Sequence, residues 1–160
     1  MKVFIGADHA GFKLKEKIKR FLEQRQIEVE DLGNLKYDQN DDYPDFSYQV
    51  ASQVTLNPGS LGILVCGSSF GAAIVANKVK RIRAATAKTA AEARLARDHN
   101  DVNVLCLAGG DLKSAVRGIG ITFPLAKKIV KVFLATDFSR AKRHQRRVNK
   151  IKEIEDKNFY

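Results

Sequence analysis

Apolar runs of strand length alternate along this chain with stretches of helical periodicity. Lys2 to Ile5 reads as a first strand, and Gly11 to about Gln26 as an amphipathic helix with Leu14, Ile18, Phe21 and Leu22 at helical spacing. Ile27 to Leu32 is a second strand ended by Gly33, and Asn34 to Pro44 a polar, acidic loop. Phe46 to Leu56 is a second helix, stopped by Asn57-Pro58-Gly59. Leu61 to Val65 is a third strand, Ala72 to Val79 a third helix and Ile82 to Thr86 a fourth strand. Thr89 to Asp98 forms an Ala/Arg-rich helix and Val102 to Ala108 a fifth strand. After an irregular glycine-containing stretch from Gly109 to Gly120 come a helix from Pro124 to Ala135 and a basic helix from about Arg140 to Lys157.

Alternating βα units predict an α/β fold, a parallel sheet covered by helices on both faces. Right-handed crossovers restrict this to a Rossmann-like three-layer sandwich with a five-stranded parallel sheet, expected order 2-1-3-4-5. No internal repeat or linker interrupts the pattern, so residues 1–160 are expected to form one domain. In such sheets ligands bind beyond the carboxyl ends of the strands where the winding reverses, here between strands one and three. Gly6-Ala7-Asp8-His9-Ala10-Gly11 follows strand one, and Cys66-Gly67-Ser68-Ser69-Phe70-Gly71 follows strand three. Asp8, His9 and Cys66 are therefore expected to converge, although Asp8 has an alternative duty as a helix cap.

Composition narrows the setting. A hydrophobic content of 44% and a charged content of 29% are those of an ordinary globular protein. Two cysteines, Cys66 and Cys106, are too few for a disulfide framework and fit a reducing compartment. No signal peptide is expected, because the chain as read goes straight into a strand pattern, and no apolar run approaches the ~20 residues that span a bilayer. A cytoplasmic protein without membrane partners is expected. The formal net charge is +10. Part of the excess lies close together in Arg140, Lys142, Arg143, Arg146, Arg147, Lys150 and Lys152. Such a stretch serves nucleic acid, a solvated helix face or a phosphate clamp. Aromatic residues join it only at Phe159 and Tyr160, so stacking platforms are missing and nucleic-acid binding ranks below the other two.

Cys66 ends an apolar strand and opens a small-residue turn into a helix. Backbone N–H groups at such a turn can cradle an anion, and the helix dipole is expected to lower the thiol's pKa. On the thiol alone, a small buried hydrophobe is the simpler reading. The chain's three histidines, His9, His99 and His144, stand in polar or glycine-bearing turns or among arginines. His99-Asn100-Asp101 immediately precedes strand five, where Asn100 and Asp101 also suit a plain turn.

One set of segments carries a resemblance. Gly6-Ala7-Asp8-His9-Ala10-Gly11-Phe12-Lys13-Leu14-Lys15, Asp42-Tyr43-Pro44-Asp45-Phe46, Cys66-Gly67-Ser68, Ala76-Asn77-Lys78-Val79 and Ile82-Arg83-Ala84-Ala85 begin it. Ala96-Arg97-Asp98-His99-Asn100-Asp101-Val102-Asn103-Val104-Leu105 and Arg143-His144-Gln145-Arg146-Arg147-Val148 complete it. Together, from Met1 to about Glu155, they resemble ribose-5-phosphate isomerases of type B, in the family that includes galactose-6-phosphate isomerase. The resemblance implies a homodimer or homotetramer that acts on a sugar phosphate without metal or cofactor. Its active sites would lie at the subunit interface and draw on both subunits.

The implied reaction is aldose–ketose interconversion, ribose 5-phosphate to ribulose 5-phosphate, through a cis-enediolate. By resemblance, His99 opens the sugar ring with help from Asp8, and Cys66 moves the proton between C1 and C2. A glutamate does this work in another branch of the family, but the matching position here is Ala72. Ser68 sits beside the base to relay a proton or orient the sugar. Backbone N–H groups from Gly67 through Ser69, Phe70 and Gly71 suit the enediolate charge, and Asn100 an oxyanion or hydroxyl. His9, Arg143 and Arg147 match the family's phosphate contacts; the arginines, four apart on a helix, share a face.

Several positions depart from the family. Ser69 stands where glycine is usual, in a backbone that must approach substrate. Thr86-Ala87-Lys88 replaces a common Cys-His, with little catalytic cost expected. Residues 109–123 replace a shorter turn that often bears a further arginine, a role open to Arg117. A six-carbon substrate such as galactose or allose 6-phosphate, a noncatalytic partner subunit and a nucleic-acid module remain the alternatives.

Overall fold

A computed structural model describes residues 1–110 and 118–158. Arg117 therefore lies outside the described residues, as do Phe159 and Tyr160. Five parallel strands form one sheet: β1 (Lys2–Ala7), β2 (Glu28–Asp31), β3 (Leu61–Cys66), β4 (Ala84–Thr86) and β5 (Val104–Ala108). The helices between and after them are α1 (Phe12–Glu23), α2 (Tyr43–Leu56), α3 (Phe70–Ala76), α4 (Ala90–Asn100), α5 (Phe123–Ala135) and α6 (Lys142–Asn158). Among the described residues, no helix is long and apolar enough to cross a membrane.

Side-chain alternation along the strands divides the core into two layers. Val3, Ile5, Ile63, Val65, Leu105 and Leu107 face α1 and α5, meeting Leu14, Ile18, Ile129 and Phe133. Phe4, Leu64, Cys66, Val104 and Cys106 face α2 and α3, meeting Val50, Val54, Ala72 and Ala76. This is the α/β three-layer sandwich expected from the pattern.

The sheet order is β2-β1-β3-β5-β4, so the expected 2-1-3-4-5 needs correction at one edge. Burial explains the exchange. Leu105 and Leu107 of β5 are fully buried, each stabilising by roughly 1.5–3 kcal/mol. The Ala-Ala-Thr of β4 is only half-buried and has far less apolar area to gain, so it takes the edge. The winding still reverses between β1 and β3, which leaves the expected site location unchanged.

Helix boundaries also shift with physical cause. α2 starts at Tyr43 because Pro44 is well suited to a helix's first turn. α3 ends at Ala76, where the Asn77 side chain turns to donate to the carbonyls of Ala73 and Ala84. α4 continues to Asn100, so His99 and Asn100 lie on its last turn instead of in a loop. Asp101 caps it in the left-handed conformation with φ 50°.

Candidate active site

Three backbone segments meet at the carboxyl edge of β1, β3 and β5. A Cβ on Gly11 would lie 2.1 Å from the Val65 carbonyl oxygen, so only glycine lets the first loop approach β3 this closely. Gly109 and Gly110 donate backbone hydrogen bonds to the carbonyls of Cys66 (2.8 Å) and Gly67 (3.0 Å), stitching the segment after β5 to the same place.

Asp8 follows β1 and is buried, with Oδ1 accepting the Gly11 N–H at 2.9 Å. Burial pushes its carboxyl above the usual range; Asp41 adds to this, while the Gly11 N–H and His9 oppose it. Cys66 is only 4% exposed. Burial raises its thiol, and the charge of Asp8 raises it further. The N–H groups of Ala72, Ser69 and Ser68 face the sulfur and favour its thiolate, yet they do not outweigh burial. The expected lowering of the thiol pKa is thus corrected: α3 has only seven residues, and desolvation exceeds what its amino end supplies. These amides also serve the sulfur, whereas the first-turn N–H groups at Phe70 and Gly71 have no acceptor within the helix. Asp8 and Cys66 come close enough to interact, as the topology requires.

His9 lies at the mouth of this site with its ring 39% exposed and Nδ1 2.8 Å from Asp41 Oδ1. Partial burial works against its cation, but the Asp41 hydrogen bond and the charges of Asp8 and Asp41 prevail, so the imidazole titrates above its ordinary value. Ser68 is half-buried and Phe70 exposed. Tyr43, in the Asp42-Tyr43-Pro44-Asp45-Phe46 segment, is a further residue beside this turn. A Cβ on Gly71 would meet the Tyr43 ring at 2.6 Å, so the phenol borders the Cys66 turn. Its position at the start of α2, beside Pro44, was the available signal.

Ser69 adopts φ 72° and ψ −21°. That conformation costs an L-residue roughly 1–2 kcal/mol. Its hydroxyl donates to the Ser68 carbonyl and the residue is buried, so the side chain folds away from the loop mouth. Ser69→Gly is expected to be neutral or stabilising by up to about 1 kcal/mol, the relieved strain partly offset by glycine's chain entropy. Urea denaturation of the two proteins checks this; a clear loss of stability would mean that the hydroxyl bond outweighs the strain.

The remaining expected residues form a second group elsewhere. His99 is on the last turn of α4, and its ring centroid is 4.1 Å from that of His144 on α6. Asp98 Oδ2 lies 3.4 Å from His99 Nε2. Arg143 donates from Nε to His144 Nε2 at 3.1 Å. The Ser139 hydroxyl donates to the Asp98 carbonyl and lies 2.8 Å from His144 Nδ1, so that nitrogen carries the proton. Burial, followed by the charges of His99 and Arg143, pushes His144 below its ordinary pKa and keeps it neutral; Arg147 acts in the same direction.

This second group lies at the amino edge of the sheet. Cys66 pairs with Ala108 and Gly62 with Val104, while His99 and Asn100 precede Val104. The four-residue step along β5 alone is about 13 Å. Within one chain, His99, Asn100, Arg143 and Arg147 are therefore not brought to Cys66. A cleft of about 800 Å³ also opens at the amino edge and includes Arg83, Arg97, Asp101 and Lys80, but not Cys66, Asp8 or His9. Three of its cations are already committed, Arg83 and Arg97 to Asp101 and Lys80 to Asp156.

Residues 3–151 match the profile of the family described as Ribose/Galactose Isomerase. The chain is 41% identical over 155 residues to ribose-5-phosphate isomerase B of Mycobacterium tuberculosis, covering 97% of this chain and 90% of that protein. It is 42% identical over 149 residues to the probable ribose-5-phosphate isomerase B of Mycoplasma pneumoniae, covering 93% and 91%. Its fold matches the crystal structure of ribose-5-phosphate isomerase B from Mycoplasma genitalium with bound ribulose-5-phosphate. That match has a TM-score of 0.88 and 42% identity and covers 97% of this chain and 96% of the other.

Proposed function

We propose that this chain, which belongs to the Ribose/Galactose Isomerase family, interconverts ribose 5-phosphate and ribulose 5-phosphate. The observation that carries this reading is the meeting of Asp8 and the Cys66 turn at the point where the sheet's winding reverses. Cys66 as thiolate takes the proton from C2 of the open aldose; the electron pair forms the C1–C2 double bond, and the charge passes to the C1 oxygen. The C2 hydroxyl proton passes to the C1 oxygen, leaving the charge on the C2 oxygen; the carbonyl then re-forms at C2 as the thiol returns its proton to C1. Ser68 orients the sugar beside the base, and the amides of Gly67 to Gly71 offset the enediolate charge. Asp8 assists ring opening.

The enzyme works in the cytoplasm as a homodimer or homotetramer. Each site takes its carboxyl-edge residues from one subunit and His99, Asn100, Arg143 and Arg147 from another. His99 opens the ring, Asn100 holds an oxygen of the intermediate, and the two arginines with His9 hold the phosphate. The separation of the two groups within one chain supports a shared site.

A direct assay of ribose 5-phosphate conversion, with a chelator present, tests the reading. Turnover is expected to persist in chelator and to exceed that on galactose or allose 6-phosphate. A faster rate on a six-carbon phosphate would reassign the substrate, and no turnover on any of them would reject the isomerase reading.

A further inference from the structure

We propose that Asp41 is the positioning residue for His9, holding its imidazole as a cation turned toward the substrate phosphate. This rests on the proposed function, because His9 is taken there as a phosphate contact.

Asp41 sits in an otherwise exposed loop, with Leu35 68% and Tyr37 56% exposed, yet its own side chain is only 7% exposed. Oδ1 accepts both the backbone N–H and the ring Nδ1–H of His9, each at 2.8 Å. Oδ2 accepts from Asn34 Nδ2 at 2.8 Å. Asn34 is held in turn: its N–H donates to the Ala7 carbonyl at 2.8 Å, and its own carbonyl accepts from Lys15 Nζ at 2.6 Å. Lys15 is fully buried and also donates to both carboxylate oxygens of Asp31 at 2.9 Å. A chain of paired polar groups thus runs from the core, through Asn34 and Asp41, to His9.

The chemistry follows from the two ring nitrogens. A neutral imidazole that gives its one N–H to Asp41 would present an unprotonated Nε2 to a phosphate, lone pair against anion. Stabilising the cation protonates both nitrogens, so Nδ1–H stays on Asp41 while Nε2–H is left to donate. Among the described residues of one chain, Asp8 and Asp41 are the charges acting on His9, and both favour this cation, against the arginines proposed to share its phosphate. Asp41 alone also fixes the ring's direction by gripping the backbone and side chain of one residue.

Asp41→Asn in the full chain separates this from a loop-structural role. Without sugar, the His9 resonance is expected to titrate at lower pH than in the wild type. KM for ribose 5-phosphate near pH 7.5 is expected to rise about tenfold with kcat held within about twofold. The pH at which KM begins its alkaline rise should move downward, and Asp41→Glu should recover part of the shift. An unchanged His9 titration, or a fall in kcat with KM unchanged, overturns the proposal. Asn34→Ala removes only the Oδ2 partner and should move the same readouts less; it carries the test if Asp41→Asn does not fold. If the wild type isomerises none of the sugars, inorganic phosphate is the probe. Perturbation of His9 by phosphate in the wild type and its weakening in Asp41→Asn keep the positioning role, while equal response in both rejects it.

Discussion

Cys66→Ala is expected to lower turnover by about 10²- to 10⁴-fold, the usual worth of a positioned acid–base group. The fold should survive the change. Cys66 packs with Leu64, Ala72 and Ala73, and losing its sulfur leaves a cavity smaller than a large-to-small core substitution makes, costing on the order of 1 kcal/mol. A steady-state assay together with a thermal melt separates the two effects. The pH profile adds a signature. Burial, with Asp8 behind it, holds the thiol protonated beyond its ordinary range. The wild-type rate should therefore climb as pH rises above neutrality, and the residual rate of the variant should lack that limb. Cys106 does not confuse the reading: it is fully buried, and burial drives its thiol higher still. Turnover within threefold of wild type in a folded Cys66→Ala protein would reject the thiol as the base.

Mixing two inactive variants should restore activity. Cys66→Ala spoils the carboxyl-edge group, and His99→Asn the amino-edge group. For the proposed dimer with shared sites, subunit exchange at equal concentrations puts one of each variant in half of the assemblies, and one of the two sites in each then has both native residues. Recovery should approach about a quarter of the wild-type rate. The basis is the sheet register: Cys66 lies beside Ala108, whereas His99 precedes the other end of β5. A site contained in one subunit would leave the mixture as inactive as its components. Size-exclusion chromatography of the same samples reports whether exchange occurred.

The layered α/β architecture was legible because strand and helix periods differ and each burial layer repeats its own. Asp8 and Cys66 could be placed together from topology alone, since they follow the two strands that flank the reversal in winding. The β4–β5 exchange was legible in principle, as Ala-Ala-Thr has little to bury beside Leu105 and Leu107. Local patterns failed where a tertiary balance decided the outcome. The thiol's pKa reverses its expected direction because desolvation depends on what covers the sulfur, which residue order does not encode. Asp41 read as one of several loop carboxylates until the backbone carried it under His9.

Local periodicity and chemistry-bearing segments in their order are properties of the chain itself, so the sequence alone determined the sandwich and the family and pointed to the candidate site residues. The contacts that bring His144 and Arg143 to His99 and Asp41 to His9, and the raised pKa of the Cys66 thiol, came only from the tertiary structure, because distance and desolvation arise from packing between segments remote in sequence.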